Sequence, residues 1–460
     1  MARMLFGTDG IRGVAGDPPL DHTTVYAVGV ALGRHLAMSH KNPSVVIGQD
    51  TRESSAWICD SITAGLELAG VKVRHAGVIT TPAVAYLARQ AFDAGIVISA
   101  SHNPWTDNGI KVFGHDGYKL SDETEEQIET VIFDLLHGRA AGFDPKNIPA
   151  AKTSGTVLAT DPELLKQYVA WLASQVAGTK LSHLNVLVDC ANGASTPVAH
   201  EVFRACGLRA TFIHDQPTGK NINEQCGALH PEVVAHEIAK NGGKYDMGIT
   251  FDGDADRALF SDKNGKVVNG DAVLLMTARD MKPRGTLKAD TVVATTMSNM
   301  GLEIALRNSG IRMLRAPVGD KYVLEEMNKT GSTLGGEQSG HIIFRDGDST
   351  TGDGILTALR VVEAMTHAGK PLHELVADLK VFPQNIKNVR VKEKKPLESF
   401  PEVVAAMKQG ESDLSGNGRI VVRYSGTEAL ARVMVEADEE EKMKRITESI
   451  AGAIQKAIGV

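Results

Sequence analysis

The sequence has no apolar run of membrane-spanning length, and its opening Met-Ala-Arg-Met-Leu-Phe-Gly lacks the apolar core of a signal peptide. Only four cysteines occur, Cys59, Cys190, Cys206 and Cys226, and they form no Cys-x-x-Cys pair and no zinc-ligand spacing. Reduced thiols are the simplest reading. Positive charge is not in excess: 49 Lys and Arg stand against 56 Asp and Glu, a net charge of -7, which leaves no large basic field to hold nucleic acid. None of Ser101, Ser339 and Ser425 sits in a Gly-x-Ser-x-Gly elbow, which disfavours a serine hydrolase. These absences imply a cytoplasmic, globular chain with neither membrane nor nucleic acid as partner.

What is present is organised around residues 95–113. An apolar run of strand length, Ile96 to Ile98, stops abruptly at Ser-Ala-Ser-His-Asn-Pro, and Pro104 with the Asn108-Gly109 pair predicts a loop. Ser101 thus falls just past the end of a buried strand, where open α/β sheets bind their ligands. A hydroxyl there can act as a nucleophile or carry a phosphate if a base, a metal and counter-charges are brought to it.

With 460 residues the chain has room for two to four cores. Strands and helices alternate, as in an α/β layer fold. Helices are predicted from about Asp21 to Met38 and from Ser121 to Leu136, with strands at Val45–Ile47, Val71–Val73, Val186–Val188 and Met247–Phe251. The pattern divides into α/β units at 1–155, 156–257 and 258–379 and an α+β tail at 380–460. The tail ends in an amphipathic helix with Met443, Ile446, Ile450, Ile454 and Ile458 on one face.

A second chemical stretch, Thr-Phe-Asp-Gly-Asp-Ala-Asp-Arg over 250–257, also follows an apolar strand. Asp252, Asp254 and Asp256 alternate, so in an extended segment their carboxylates share one face. At about 5 Å each pair of anions repels by about 3 kcal/mol at an effective dielectric near 20, so the triplet calls for a cation. Ligands that are all oxygen suit a hard ion, Mg²⁺ or Ca²⁺. An EF-hand is excluded, because its loop would need Gly at Arg257 and Glu at Lys263.

Two further stretches complete the set. Glu337, Ser339 and His341 lie in Gly-Gly-Glu-Gln-Ser-Gly-His, suited to hydrogen bonds with sugar hydroxyls. Arg423, Ser425 and Thr427, around the backbone of Gly426, make a cradle of donors for a phosphate. The Gly-rich opening, Phe6 to Gly13, is shaped for backbone approach to a ligand and carries Arg12 as a phosphate contact.

Together, in this order along the whole chain, Ser-Ala-Ser-His-Asn-Pro, Asp-Gly-Asp-Ala-Asp-Arg, Gly-Glu-Gln-Ser-Gly-His and Arg-Tyr-Ser-Gly-Thr resemble the α-D-phosphohexomutase superfamily, most closely its phosphoglucosamine mutase branch. The resemblance implies a heart-shaped enzyme with a central cleft, three similarly folded α/β domains with mixed sheets, and a smaller, mobile α+β fourth domain. It implies Ser101 as phosphoserine, with Ser101, Asp252, Asp254 and Asp256 around one Mg²⁺. Lys111, Arg257 and His341 would take part in the chemistry. His102, Glu337 and Ser339 would meet the sugar phosphate, and Arg12, Arg423, Ser425, Gly426, Thr427 and Arg432 would hold phosphate. The implied reaction is intramolecular phosphoryl transfer between glucosamine 6-phosphate and glucosamine 1-phosphate through a bound 1,6-bisphosphate. It would supply UDP-N-acetylglucosamine and cell-wall synthesis, with a trace of hexosamine or hexose 1,6-bisphosphate as activator, and a monomer or homodimer as the active species.

Departures from the superfamily pattern are Trp105 after His-Asn-Pro, Ala255 for a frequent Gly, and Tyr424 and Ala429 where Pro is common. None removes a ligating or donor atom. The alternatives are a phosphomannomutase or phosphoglucomutase, since the motifs specify the chemistry better than the sugar, and beyond these a metal-dependent sugar phosphatase or a sugar-phosphate sensor.

Overall fold

The computed structural model describes residues 4–7, 9–140, 143–148, 159–347, 349–425 and 429–460. They form four sheets, and by their contacts two compact units, residues 1–297 with 313–376, and residues 298–312 with 377–460.

The larger unit carries three mixed sheets. In the first, strands Ser44–Gln49, Lys72–Val78 and Ala94–Ile98 run parallel, and Asp107–Gly114, Gly10–Val14 and Phe6–Gly7 extend the sheet antiparallel. The opening stretch is therefore a short hairpin on the sheet edge. Helices His22–Ser39 and Ser55–Leu68 pack against each other through two glycines. A Cβ at Gly29 would meet the Ile62 carbonyl oxygen at 2.2 Å, and one at Gly65 the Tyr26 carbonyl oxygen at 2.3 Å. The second sheet joins Asn185–Asp189 in parallel to Arg209–Ile213 and Met247–Phe251, then turns back antiparallel through Ala258–Asp262 and Val267–Val268. The third contains Arg312–Ala316, Thr291–Thr295, Leu334–Gly336 and Ile342–Phe344.

Asn108 and Gly109 correct the sequence reading: they lie inside strand Asp107–Gly114 rather than in a loop. Asn108 turns its amide inward, donating to Ser54 Oγ at 2.9 Å and Ser55 Oγ at 3.0 Å, and accepts from the Gly109 N–H at 2.8 Å. Gly109 lets the Ser99 carbonyl come within 2.6 Å of where a Cβ would stand. Local turn propensity is overridden by buried hydrogen bonds and close packing. Helices Thr81–Ala91, Asp320–Thr330 and Pro401–Leu414 also go beyond what apolar periodicity revealed.

The smaller unit is an antiparallel sheet, Gln384–Arg390, Leu430–Ala437 and Gly418–Tyr424, covered by Pro401–Leu414 and Glu440–Ile458. The predicted face of the last helix, Met443, Ile446, Ile450, Ile454 and Ile458, is buried in this unit's core. Helix Met300–Asn308 belongs to the same unit because the fully buried Glu436 caps it. Its carboxylate accepts from the Met300 N–H at 3.2 Å and pairs with Arg419.

Replacing Gly29 by Ala is expected to force the two helices of the first sheet apart and destabilise the protein by about 1 to 3 kcal/mol. Urea denaturation checks this, and a midpoint equal to that of the wild type would contradict the packing described.

Candidate active site

Strand Ala94–Ile98 is entirely buried and delivers Ser101 to its carboxyl end, as expected. Ser101 adopts a left-handed conformation, φ 53°, and is 2% exposed. The turn is held from both sides. Arg52 Nη2 donates to the carbonyls of Ser101 at 3.1 Å and Asn103 at 2.6 Å, while Asn223 Nδ2 donates to the same pair at 2.9 and 3.2 Å. Arg52 is in turn paired with the buried Asp50. With the backbone so fixed, the Ser101 hydroxyl donates to Asp252 Oδ2 at 2.7 Å and lies 3.3 Å from His102 Nδ1. Burial, reinforced by Arg257 and Arg12, lowers the His102 pKa and keeps its imidazole neutral.

The three aspartates converge, although not by strand alternation. The backbone turns immediately after strand Met247–Phe251, and Ala255 is left-handed with φ 54°. Gly253 permits the approach to the serine turn, since a Cβ there would lie 2.5 Å from the Ser101 carbonyl oxygen. One carboxylate oxygen from each of Asp252, Asp254 and Asp256 falls within 4.8 Å of the others. Burial and the charges of Asp256 and Asp254 push the Asp252 carboxyl well above its ordinary range. Asp254 Oδ1 and Asp256 Oδ1 are buried and have no hydrogen-bond partner. Oxygen donors left open in this way, beside a carboxyl that resists ionisation, fit a hard divalent cation, which would satisfy both.

Cations surround the triplet. Lys111 is buried, with Nζ 2.8 Å from Asp254 Oδ2, 3.1 Å from Asp9 and 3.8 Å from Asp256. Burial alone would lower its pKa, but Asp254, Asp9 and Asp256 reverse the effect and raise it, so the ammonium stays charged. The Arg257 N–H donates to Asp252 Oδ1 at 3.2 Å, and its Nε lies 3.7 Å from Asp256. Asp9 also accepts from Arg12 and from Lys119, which reaches on to Asp320 at 2.7 Å.

These groups open into a cavity of about 530 Å³ whose lining includes Arg12, His102, Arg257, Asp320, Glu337 and His341. Glu337 is anchored by the Gly319 N–H at 3.1 Å and by the Ser339 hydroxyl at 3.3 Å. His341 lies with Nδ1 3.6 Å from Asp256, and its Nε2 accepts from the Gly352 N–H at 3.1 Å. In the neutral ring that contact places the proton on Nδ1, facing Asp256. The structure thus brings together Ser101, His102, Lys111, the three aspartates, Arg257, Arg12, Glu337, Ser339 and His341.

In the smaller unit, Arg423 and Arg432 are direct cross-strand partners, a like-charged pair that favours an anion beside it. Ser425 is buried, and its carbonyl accepts from Lys394 at 2.7 Å. Gly426 and Thr427 lie outside the described residues.

Family models for phosphoglucomutase/phosphomannomutase match the chain in sequence: domain I at 3–137, domain II at 166–265, domain III at 269–382 and the C-terminal domain at 386–453. A phosphoglucosamine mutase of Koribacter versatilis is 60% identical over 463 residues, spanning 100% of this chain and 98% of that one. The chain belongs to the phosphoglucosamine mutase family. The Solibacter usitatus member is 51% identical, with both chains covered completely. Among solved structures, a phosphoglucomutase/phosphomannomutase family protein of Burkholderia thailandensis shares the fold at TM-score 0.78 and 23% identity, over 99% of each chain. The N-acetylphosphoglucosamine mutase of Aspergillus fumigatus, solved with GlcNAc-6P and magnesium, shares it at TM-score 0.67 and 19% identity, over 99% of this chain and 96% of that one.

Arg52, Asn223, Asp9, Lys119 and Asp320 were not singled out from the sequence. Arg52 follows apolar Val45–Ile47, so the strand-end rule that marked Ser101 would have found it. Asn223 sits in an irregular segment without pattern, and Asp320 opens a helix whose face is mostly polar.

Asp252→Asn keeps one acceptor, enough for the Ser101 hydroxyl but not also for the Arg257 N–H, and removes one of the three carboxylates. It is expected to abolish the rise in melting temperature that Mg²⁺ gives the wild type. Thermal melts with EDTA and with Mg²⁺ check this, and an undiminished Mg²⁺ increment in the variant would contradict the assignment.

Proposed function

We propose that this chain interconverts glucosamine 6-phosphate and glucosamine 1-phosphate, with Ser101 as the phosphoryl carrier and Mg²⁺ as the metal. The observation that carries the reading is the Ser101 hydroxyl held 2.7 Å from Asp252 beside two buried carboxylate oxygens without partners. The glucosamine assignment takes its support from the relatives' names.

Asp252, Asp254 and Asp256 would hold Mg²⁺. Bound there, it neutralises charge on the oxygens of the transferring phosphoryl group. The chain's own residues do the positioning that phosphoryl transfer chiefly needs. Arg52 and Asn223 fix the carrier's backbone, and Lys111 and Arg257 balance the carboxylates. Glu337 and Ser339 accept from sugar hydroxyls. Arg423, Ser425, Gly426, Thr427 and Arg432 hold the phosphate that is not reacting, and Arg12 adds a further phosphate contact.

The phosphoserine O–P bond breaks as the sugar's O1 bonds to phosphorus, and the O1 proton passes to His341 or Lys111 as general base. Asp254, Asp9 and Asp256 hold the Lys111 ammonium charged, so Lys111 serves as base only after losing a proton, and His341 serves as base only once its Nε2 is released from the Gly352 N–H. The 1,6-bisphosphate then reorients, and its 6-phosphoryl group returns to Ser101 as the O6–P bond breaks and the base returns its proton to O6. Release of glucosamine 1-phosphate leaves the carrier phosphorylated.

A panel of glucosamine, glucose and mannose 6-phosphates tests the assignment: glucosamine 6-phosphate is expected to give the highest kcat/KM, and a higher value for either other sugar would overturn it. Arg423→Ala removes a charged hydrogen bond worth about 1.5 to 3 kcal/mol, so KM is expected to rise about ten- to a hundredfold. The same variant should also lose bisphosphate before the second transfer and come to depend on added 1,6-bisphosphate. An unchanged KM without that dependence would place the phosphate clamp elsewhere.

A further inference from the structure

Apart from the aspartate triplet, one other group among the described residues has the donors to hold a metal, and it lies in the second sheet: Asp189, His214 and Cys226. One ligand atom from each falls within 4.8 Å of the others. Sequence spacing conceals the set, because its members come from the end of strand Asn185–Asp189, the residue after strand Arg209–Ile213 and an irregular segment.

The donors are held in place. Asp189 is fully buried, and its two oxygens accept from the N–H groups of Ala191 at 2.8 Å and Gly227 at 3.0 Å, each leaving a second lone pair. Cys226 is fully buried, with its sulfur 3.9 Å from Asn192 Nδ2. His214 Nδ1 is buried and 3.1 Å from Asp189 Oδ1, yet it makes no aligned hydrogen bond. The outer part of the His214 ring reaches solvent, its side chain being 33% exposed, which provides an entry path. One sulfur, one imidazole nitrogen and one carboxylate oxygen form a set that hard Mg²⁺ does not favour and a borderline-soft, tetrahedral ion does.

We propose that Asp189, His214 and Cys226 form a second metal site, specific for zinc-class divalent ions, with water as the fourth ligand. Binding releases the Cys226 thiol proton to solvent as the thiolate coordinates. The site is physically continuous with the serine turn. Cys226 lies three residues beyond Asn223, whose backbone N–H donates to the Ala191 carbonyl at 2.9 Å and whose side chain holds the Ser101 and Asn103 carbonyls. A bound ion therefore clamps the segment that fixes the phosphoryl carrier.

Co²⁺ is the probe, titrated into the full-length protein with excess Mg²⁺ to occupy the aspartate triplet. One equivalent is expected to produce a thiolate-to-cobalt charge-transfer absorption that one equivalent of Zn²⁺ abolishes. Cys226→Ala should lose the band and Cys206→Ala should keep it. His214→Gln, at the solvent-facing rim, leaves the core intact and should weaken Co²⁺ binding by about tenfold or more. No charge-transfer band in the wild type, a band that survives Cys226→Ala, or wild-type affinity in His214→Gln would each overturn the site.

Discussion

The larger unit depends on one electrostatic constraint: three carboxylates are buried within 4.8 Å of one another, next to a serine hydroxyl. Each pair costs about 3 kcal/mol at that spacing even in a polarisable interior, a large fraction of what an ordinary domain has to spare. The surroundings show how this is tolerated. Lys111 is buried against Asp254, Asp9 and Asp256, Arg257 stands at the mouth, and Lys119 ties Asp9 to Asp320. The remaining imbalance appears in Asp252, whose carboxyl is pushed up by burial and by its two neighbours.

The backbone shows a matching pattern. Ser101 and Ala255 are left-handed, as are Ala191, Asn192, His214, Asn223 and Gln225 in the loops that lead to Asn223. Such conformations cost about 1 to 3 kcal/mol each and persist only where surrounding contacts fix them. Here the contacts are explicit: Arg52 and Asn223 hold the serine turn, and the Gly354 N–H donates to the Ala255 carbonyl at 2.9 Å. Rigidity at Ser101 is thus assembled from elements distant in sequence.

Much of this is legible in the sequence, and the reasons differ by residue. Ser101 and the aspartates announce themselves because apolar strands ending in polar residues are a local signal. The amphipathic last helix is equally local, and its five apolar residues are buried as the period requires. Asn108 and Gly109 read as a turn because propensity cannot register that Ser54 and Ser55 wait for the Asn108 amide. Alternation along a strand implies convergence of the aspartates, whereas the backbone brings them together by a turn through Ala255. Asn223, Asp9 and Lys119 were invisible because their roles consist of contacts across more than a hundred residues. The Asp189, His214 and Cys226 set is hidden because its members come from two strand ends and an irregular segment, with no motif spacing.

The central claim is that Ser101 carries the phosphoryl group. Intact mass after incubation of the metal-loaded protein with glucose 1,6-bisphosphate, followed by peptide mapping, measures it directly. A gain of one phosphoryl group located on Ser101 is expected, and none in Ser101→Ala. A protein that stays unmodified while turning over substrate, or one that is modified at another residue, would contradict it.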